Sequence, residues 1–376
     1  MIAASDSLAI AAPPLQPVSA PAGLGAVAAY WVPAARWEEA RADWDELAAA
    51  AAEPNVFLAP GFALAARGAV ASAGLGALLV TRDGLLIGLV AGRFHLLRSV
   101  FSLWTHDYAP YGMPLVRPDE AGAVIGALVS FLADQGVAAL ETPLLDAGPV
   151  ADALEALAAS HPTFVLDAHR RAVLTEAPPP LSKEHRRLAR RLGEQGRLET
   201  VSTATGYALP AAVDAFLTLE AEGWKGRRGT ALAATPATRA FFEGAVADLV
   251  PRGAAQIDML LLDGRPVAAG LVLTAGARAW YLKTAYDEAF ARFSPGLLLS
   301  RAIGASAIAA EGVRLVDSCA IPGHPMIERI WPGRMELTTR FIAVAEGRAG
   351  VRYRAALACR RGFAAAKGLA KRLLRR

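Results

Sequence analysis

Two distant stretches of the chain share one rhythm, "TRDGLLIGLVAGRFHLLRSVFSLW" at 81–104 and "LLDGRPVAAGLVLTAGARAWYLKT" at 261–284. Each sets Asp-Gly between apolar runs of strand length, which is the signal for a tight antiparallel hairpin. Few features limit a fold as much as the same hairpin met twice. The repeat points to a diverged duplication, with one such hairpin at the centre of each unit.

The elements around the hairpins support two units. In the first, "GAVAAYWV" reads as a strand and "ARWEEARADWDELAAAAAE" as a helix, with Pro54 and Pro60 punctuating the chain after it. A strand near 98–105, a helix at 119–135, the strand "VAALETPLL", a helix near 148–159 and a strand around 163–174 complete it. Pro178, Pro179 and Pro180 mark a boundary, after which Ser182 caps a cationic helix. The second unit repeats the plan: the helix "AAVDAFLTLEAEG", the loop "WKGRRGTALAATP", a helix at 236–250, the later hairpin, a helix from Pro295 to Glu311, the strand "VRLVDSCA", a short helix near 325–331 and the strand "MELTTRFIAVA". The expected fold class is α/β (α+β), each unit a mixed, largely antiparallel sheet flanked by helices. The expected divisions are a flexible Ala/Pro-rich lead over 1–23, units over 24–177 and 178–346, and a basic helix over 347–376.

Composition narrows the function. The chain of 376 residues is 54% hydrophobic, enough to bury a large core. Its two cysteines make no disulfide framework or zinc pattern, so no metal is expected and a reducing compartment fits best. The proline-broken lead is not a signal peptide, and the apolar helix at 121–133 is too short to span a bilayer; a cytoplasmic protein is expected. No GxSxG elbow supports a serine hydrolase, and no Walker or Rossmann glycine pattern is present.

The segment "LKTAYDEAFARFSPG" at 282–296 gathers polar chemistry in this apolar chain. Ser294, Pro295 and Gly296 open a helix: Ser294 at the cap and Pro295 in the first turn are ordinary capping residues, while free amides and the helix dipole also suit a pyrophosphate. Lys283, Tyr286, Asp287 and Glu288 cluster at a strand end. Asp287 or Glu288 suits proton removal from an amine and Tyr286 proton donation to a thiolate; the plainer reading is solvated loop charge.

The strings "LEAEGWKGRRGTAL" (219–232), "YLKTAYDEAFARFSPG" (281–296) and "VDSCAIPGHPMIERIW" (316–331) resemble the FemAB-like and CelD-like branch of the GNAT acyltransferase superfamily. The resemblance runs over roughly 35–345. It implies tandem GNAT-like domains, the second binding acyl-CoA (acetyl-CoA in the simplest case), and an N-acetyltransferase associated with cellulose or exopolysaccharide biosynthesis. By position, Ser294, Pro295 and Gly296 stand at the pyrophosphate loop, without the usual Gln/Arg-x-x-Gly-x-Gly/Ala pattern. The strand 278–285 then holds the thioester, with Lys283 and Tyr286 beside the reaction centre. Direct attack by an amine in a ternary complex is implied, the amine carried on an amino sugar or polysaccharide precursor. The same branch also implies an alternative, peptidyl transfer from aminoacyl-tRNA.

Other residues are weighed on the same terms. Trp224, Lys225 and Arg227 form an aromatic, basic loop suited to a sugar face or a phosphate, or else one buried Trp with solvated charges. Asp317 is either a second base at a strand end or a cap. The first unit's "THDYAPYGMP" is expected to have lost CoA binding and to lend His106, Asp107, Tyr108 and Tyr111 to an acceptor cleft between the units, unless these are buried structural aromatics. Residues 348–376 hold ten Lys/Arg and no Asp/Glu. The helix expected there places Val351, Ala355, Ala358, Phe363, Leu369 and Leu373 on its apolar side, broken by Leu357, and Arg354, Arg360, Arg361, Lys367, Lys371, Arg372 and Arg375 mostly on the other. It suits the anionic inner face of a membrane, nucleic acid, a cyclic dinucleotide such as cyclic di-GMP, acting through a non-enzymatic effector, or plain packing on the body. Nothing in the acidic remainder suggests nucleic acid.

Overall fold

The structure, a computed structural model, describes residues 25–70, 74–347 and 349–373. The lead over 1–23 lies outside them. In the first half the chain runs β1 (Val27–Pro33), α1 (Arg41–Ala50), α2 (Pro60–Val70), β2 (Leu75–Arg82), β3 (Leu85–His95), β4 (Val100–Leu103), β5 (Leu115–Val116), α3 (Ala121–Asp134), β6 (Ala139–Leu145), α4 (Pro149–Ala158) and β7 (Thr163–Leu174). The second half runs α5 (Lys183–Gly193), β8 (Leu198–Ser202), α6 (Leu209–Glu222), α7 (Trp224–Arg227), α8 (Pro236–Leu249), β9 (Ala255–Leu262), β10 (Arg265–Ala275), β11 (Arg278–Tyr286), α9 (Pro295–Ala309), β12 (Leu315–Asp317) and β13 (Gly333–Ala343), before α10 (Val351–Leu373).

Both Asp-Gly signals are tight turns. Asp83 and Gly84 join β2 to β3 with φ of 49° and 82°, and Asp263 and Gly264 join β9 to β10 with φ of 50° and 79°. Positive φ at both central residues matches the right-handed twist of the strands, which is why Asp-Gly serves here.

All the strands belong to one mixed sheet, in the order β1-β2-β3-β4-β6-β13-β7-β12-β11-β10-β9-β8, with β5 alongside β3. The order is a palindrome. Reading inward from the two edges, β1 answers β8, β2 answers β9, β3 answers β10, β4 answers β11, and β6 answers β12. The parallel pairs β4–β6 and β11–β12 also answer each other, while the other neighbours along this path are antiparallel. At the centre the halves exchange their last strands: β13 pairs with β6 of the first half, and β7 pairs with β12 of the second. A line at 177/178 therefore divides the sequence but not the sheet.

One apolar core reaches across both halves, from Trp37 and Phe101 to Phe242 and Trp280. The helices α2 and α8 close it from either side, with Phe62 edge-on to Phe241 at 5.2 Å. A second core lies under α9, where Leu299 and Ile303 pack with Val272 and Tyr281.

Three features depart from the sequence expectations. The helix α2 has no clear signal in the sequence, because "PGFALAARGAV" is mostly small residues whose buried side, Phe62, Ala63 and Ala66, shows little contrast. The strand expected over "VRLVDSCA" is only Leu315–Asp317. Along α10 the buried residues are Tyr353 and Ala356, with Leu357 partly buried, and they pack on Val100 and Phe341. Val351, Ala355, Ala358 and Phe363 are exposed instead, so the seam lies nearly half a turn from the apolar side read in the sequence; the side chains of Leu369 and Leu373 lie outside the described residues.

Candidate active site

The strand β11 is regular on one side and open on the other. It runs antiparallel to β10 with a register shift between Leu271 and Val272, which leaves Leu282 as an extra residue between Tyr281 and Lys283. On its other side it pairs with β12 only over Arg278–Trp280. There β12 ends, and Cys319, at φ 53°, turns the chain away. A wedge therefore opens between the strands beyond Trp280.

Thr284 and Tyr286 present their amides to this wedge. The Asp287 amide donates to the Val267 carbonyl of β10 (2.9 Å), and alternation then points residues 284 and 286 the other way. Consistently, the Thr284 carbonyl faces the Lys225 ammonium at 2.8 Å.

Around the wedge lies a cleft of about 590 Å³, walled by β11, the ends of α6 and α7, the turn after β12, and Asp107 from the first half. Its charge is organised by Glu220. Lys283 Nζ donates to Glu220 Oε1 (2.7 Å), Lys225 Nζ donates to the same oxygen (3.1 Å), and the Leu232 amide donates to Oε2 (2.7 Å). The carboxylate is wholly buried. Burial alone pushes Glu220 up, but Lys283 and Lys225 more than offset it and hold its pKa below the usual value. Burial, and then Lys283, pull Lys225 down. Two ammoniums on one carboxylate leave a surplus positive charge facing the cleft.

Tyr286 stands on the wall between this cleft and a recess of about 270 Å³ at the start of α9, lined by Ser294, Pro295, Gly296, His185 and Arg329. Contrary to the sequence expectation, Ser294 does not cap α9 through its side chain. It sits at φ 55°, its hydroxyl bonds no helix amide, and its carbonyl takes the Leu297 and Leu298 amides instead. Gly296 is where backbone and aromatic ring approach: a Cβ there meets the Tyr286 ring at 3.2 Å.

Of the residues singled out in the sequence, Lys283, Tyr286, Glu288, Trp224, Lys225 and Asp107 line the cleft, and Ser294, Pro295 and Gly296 line the adjoining recess. Tyr108 lies beneath Lys283, its ring centre 5.3 Å from Nζ. Glu288 accepts from the Trp224 amide (2.6 Å) and Arg227 (2.7 Å), clamping the 224–228 loop; the Arg227 hydrogen bond lowers its pKa, which makes it a poor base.

Four residues take structural places. Asp287 caps the Ala289 amide (2.9 Å) and pairs with Arg265 (2.6 Å), away from the cleft. Asp317 is fully buried between Arg171 (3.1 Å) and the Cys319 amide (2.8 Å). Tyr111 is a core side chain that donates to Asp146 (2.7 Å). His106 lies between Phe62 and Trp104, where burial pulls its pKa down to about 4. His106 and Tyr111 therefore follow the buried-aromatic reading rather than the acceptor-cleft one.

Sequence reasoning passed over Glu220. The signal was present: Glu220 lies four residues after Phe216, on the buried face of α6. A carboxylate on an apolar helix face demands a partner. His324 also lines the cleft, with Nδ1 accepting from the Ile327 amide (3.3 Å), so that the neutral ring carries its proton on Nε2.

Among the described residues, Asp107 is the lining carboxylate with no hydrogen-bond or ion-pair partner, since Glu220 and Glu288 are both engaged. The arrangement thus joins an open strand edge with outward amides, a free carboxylate opposite, and a helix N-terminus beside it. Such a site can polarise a carbonyl while a base removes a proton from a nucleophile.

Comparison with known proteins agrees. Residues 181–323 match the profile of the acetyltransferase (GNAT) domain family. No curated protein matches the chain. Among solved structures, a conserved protein of unknown function from Bacteroides thetaiotaomicron VPI-5482 is similar at 12% identity, covering 81% of this chain and 97% of that one, with a TM-score of 0.56. FemX is similar at 12% identity over 80% and 95%, with a TM-score of 0.50. The DUF2156 C-terminal domain of a protein assigned as a lysylphosphatidylglycerol synthetase from Agrobacterium fabrum is similar at 10% over 81% and 92%, with a TM-score of 0.54. The second half of the chain thus matches the GNAT acetyltransferase domain profile, and both halves together share a fold with FemX and these other structures.

Proposed function

We propose that the protein is an N-acyltransferase that moves an acyl group from acyl-CoA to an amine on an amino sugar or polysaccharide precursor. The observation that carries this reading is the wedge where β11 leaves β12, set beside the recess at the start of α9. The Thr284 and Tyr286 amides face the position of a thioester oxygen, and the α9 amides suit a pyrophosphate. Asp107 accepts the amine proton as nitrogen bonds to the carbonyl carbon. The carbon–sulfur bond breaks, and the Tyr286 hydroxyl supplies a proton to the departing thiolate. Lys225 and Lys283 hold a positive field that favours an acceptor with an anionic group, such as a sugar phosphate.

The test is Asp107→Asn with the full chain and acyl-CoA. Expected is a kcat about a hundredfold lower, with KM for acyl-CoA within about threefold. Unchanged kcat would remove Asp107 from the reaction.

A second reading, transfer from aminoacyl-tRNA, draws on one observation. The exposed side of α5 carries Lys183, Arg186, Arg187, Arg190 and Arg191 beside the α9 recess, which His185 of the same helix lines. Such a face suits a polyanion. Absence of CoA binding together with transfer from charged tRNA would assign this reading in place of the first.

A further inference from the structure

A second cavity, of about 900 Å³, lies in the first half of the molecule. It opens where the parallel pair β4–β6 ends, at Ser102 and Glu141, just as the cleft opens where β11–β12 ends, at Trp280 and Asp317. The duplication has kept both openings. What differs is the roof, because α10 lies over the first-half cavity and contributes Arg360, Arg361 and Phe363 to its lining.

The cavity is positively charged. Arg93, Arg360 and Arg361 line it, against Glu141 and Asp167. Both carboxylates are engaged: Arg360 closes on the buried Glu141, with Nε at 3.0 Å, and His169 holds Asp167 at 2.6 Å. Among the described residues, neither Arg93 nor Arg361 has a carboxylate partner. The Arg361 guanidinium lies over the Phe164 ring at 5.2 Å, and the rings of Phe164 and Phe363 are exposed. His95 Nε2 is buried with no hydrogen-bond partner.

Two unpaired guanidiniums in a concavity are a phosphate site in waiting, since each presents a planar fork of donors. Exposed aromatic rings next to them add a stacking surface for a flat base. The volume is in the range of small-molecule sites.

We propose that this cavity binds a nucleotide, its phosphate on Arg93 and Arg361 and its base against Phe164 and Phe363. The ligand bridges β3, β7 and α10, so it fastens the C-terminal helix to the sheet. The site is separate from the acyl-transfer cleft, and its occupancy does not depend on that reading.

Calorimetric titration of the full chain with GMP, cyclic di-GMP and inorganic pyrophosphate tests this, with and without saturating CoA. Expected is that at least one nucleotide binds at about 100 μM or tighter and about tenfold better than pyrophosphate. Arg93→Ala with Arg361→Ala should weaken that binding at least about tenfold. Both side chains are exposed, so the melting temperature and acyl transfer should stay unchanged. Four results would overturn the proposal: no nucleotide binding at millimolar concentration, pyrophosphate binding as tightly as the nucleotides, displacement of the nucleotide by CoA, or binding that the double variant leaves intact. Phosphatidylglycerol vesicles that bind through Arg93 and Arg361 and exclude the nucleotides would overturn it too, by assigning the surface to a membrane.

Discussion

Glu220 has two ammonium partners and one backbone amide, and removing its carboxylate strands all three. Glu220→Ala leaves Lys225 and Lys283 facing each other in a buried site, at a cost of about 3–5 kcal/mol. Urea denaturation should give an unfolding free energy lower by that margin, and acyl transfer should fall with it. His106 makes a prediction about pH. It is held neutral in the fold, with a pKa of about 4 against an ordinary value of 6.5. The unfolded chain therefore binds the extra proton first, and stability is full above pH 6.5 and is lost as pH falls toward 4, by about 3 kcal/mol in all. His106→Phe, which keeps a ring between Phe62 and Trp104, should flatten stability over that window in denaturation at stepped pH. These placements also mark the limit of reading side chains from sequence. Asp287 and Asp107 are both acidic residues in polar turns, and only Arg265 and the Ala289 amide, reached through the folded chain, engage one and leave the other free.

At the scale of elements, β11 was recognisable from its composition, but the wedge beside it was not. Three residues of β12 decide where the pairing stops, and a β-strand's partner is not written in its own alternation. The adjoining turn into α9 gives a direct check on the donor recess. Gly296→Val puts side-chain carbons against the Tyr286 ring and fills the mouth of the recess. KM for acyl-CoA should rise about tenfold or more while kcat changes less, measured with the acceptor saturating. A drop in kcat with KM unmoved would place the pyrophosphate elsewhere. The basic helix was equally plain as a helix, yet its buried side was misplaced. Tyr353 donates to the Phe341 carbonyl (2.9 Å) and Arg360 reaches Glu141, so polar anchors set the rotation that hydrophobic periodicity alone would have set differently.

For the molecule as a whole, the two hairpins announced the duplication, and the class of fold came with it. The exchange of β7 and β13 did not, because a fragment's sequence carries no sign of which sheet it will join. A chain of 178–346 keeps β12 and β13 but lacks β7, which lies between them. It should be aggregation-prone, with unpaired edges where β7 stood. Starting the fragment at 161 restores β7 and should give a more monomeric product in sedimentation; equal behaviour of the two fragments would mean the exchange contributes little. The same exchange bears on how the chain is made. On the ribosome, β6 emerges early and must wait, its edge uncovered, until β13 arrives after nearly the whole second half has been synthesised. The first half cannot finish folding before the second exists, so a nascent chain stalled between them is a natural client for chaperones.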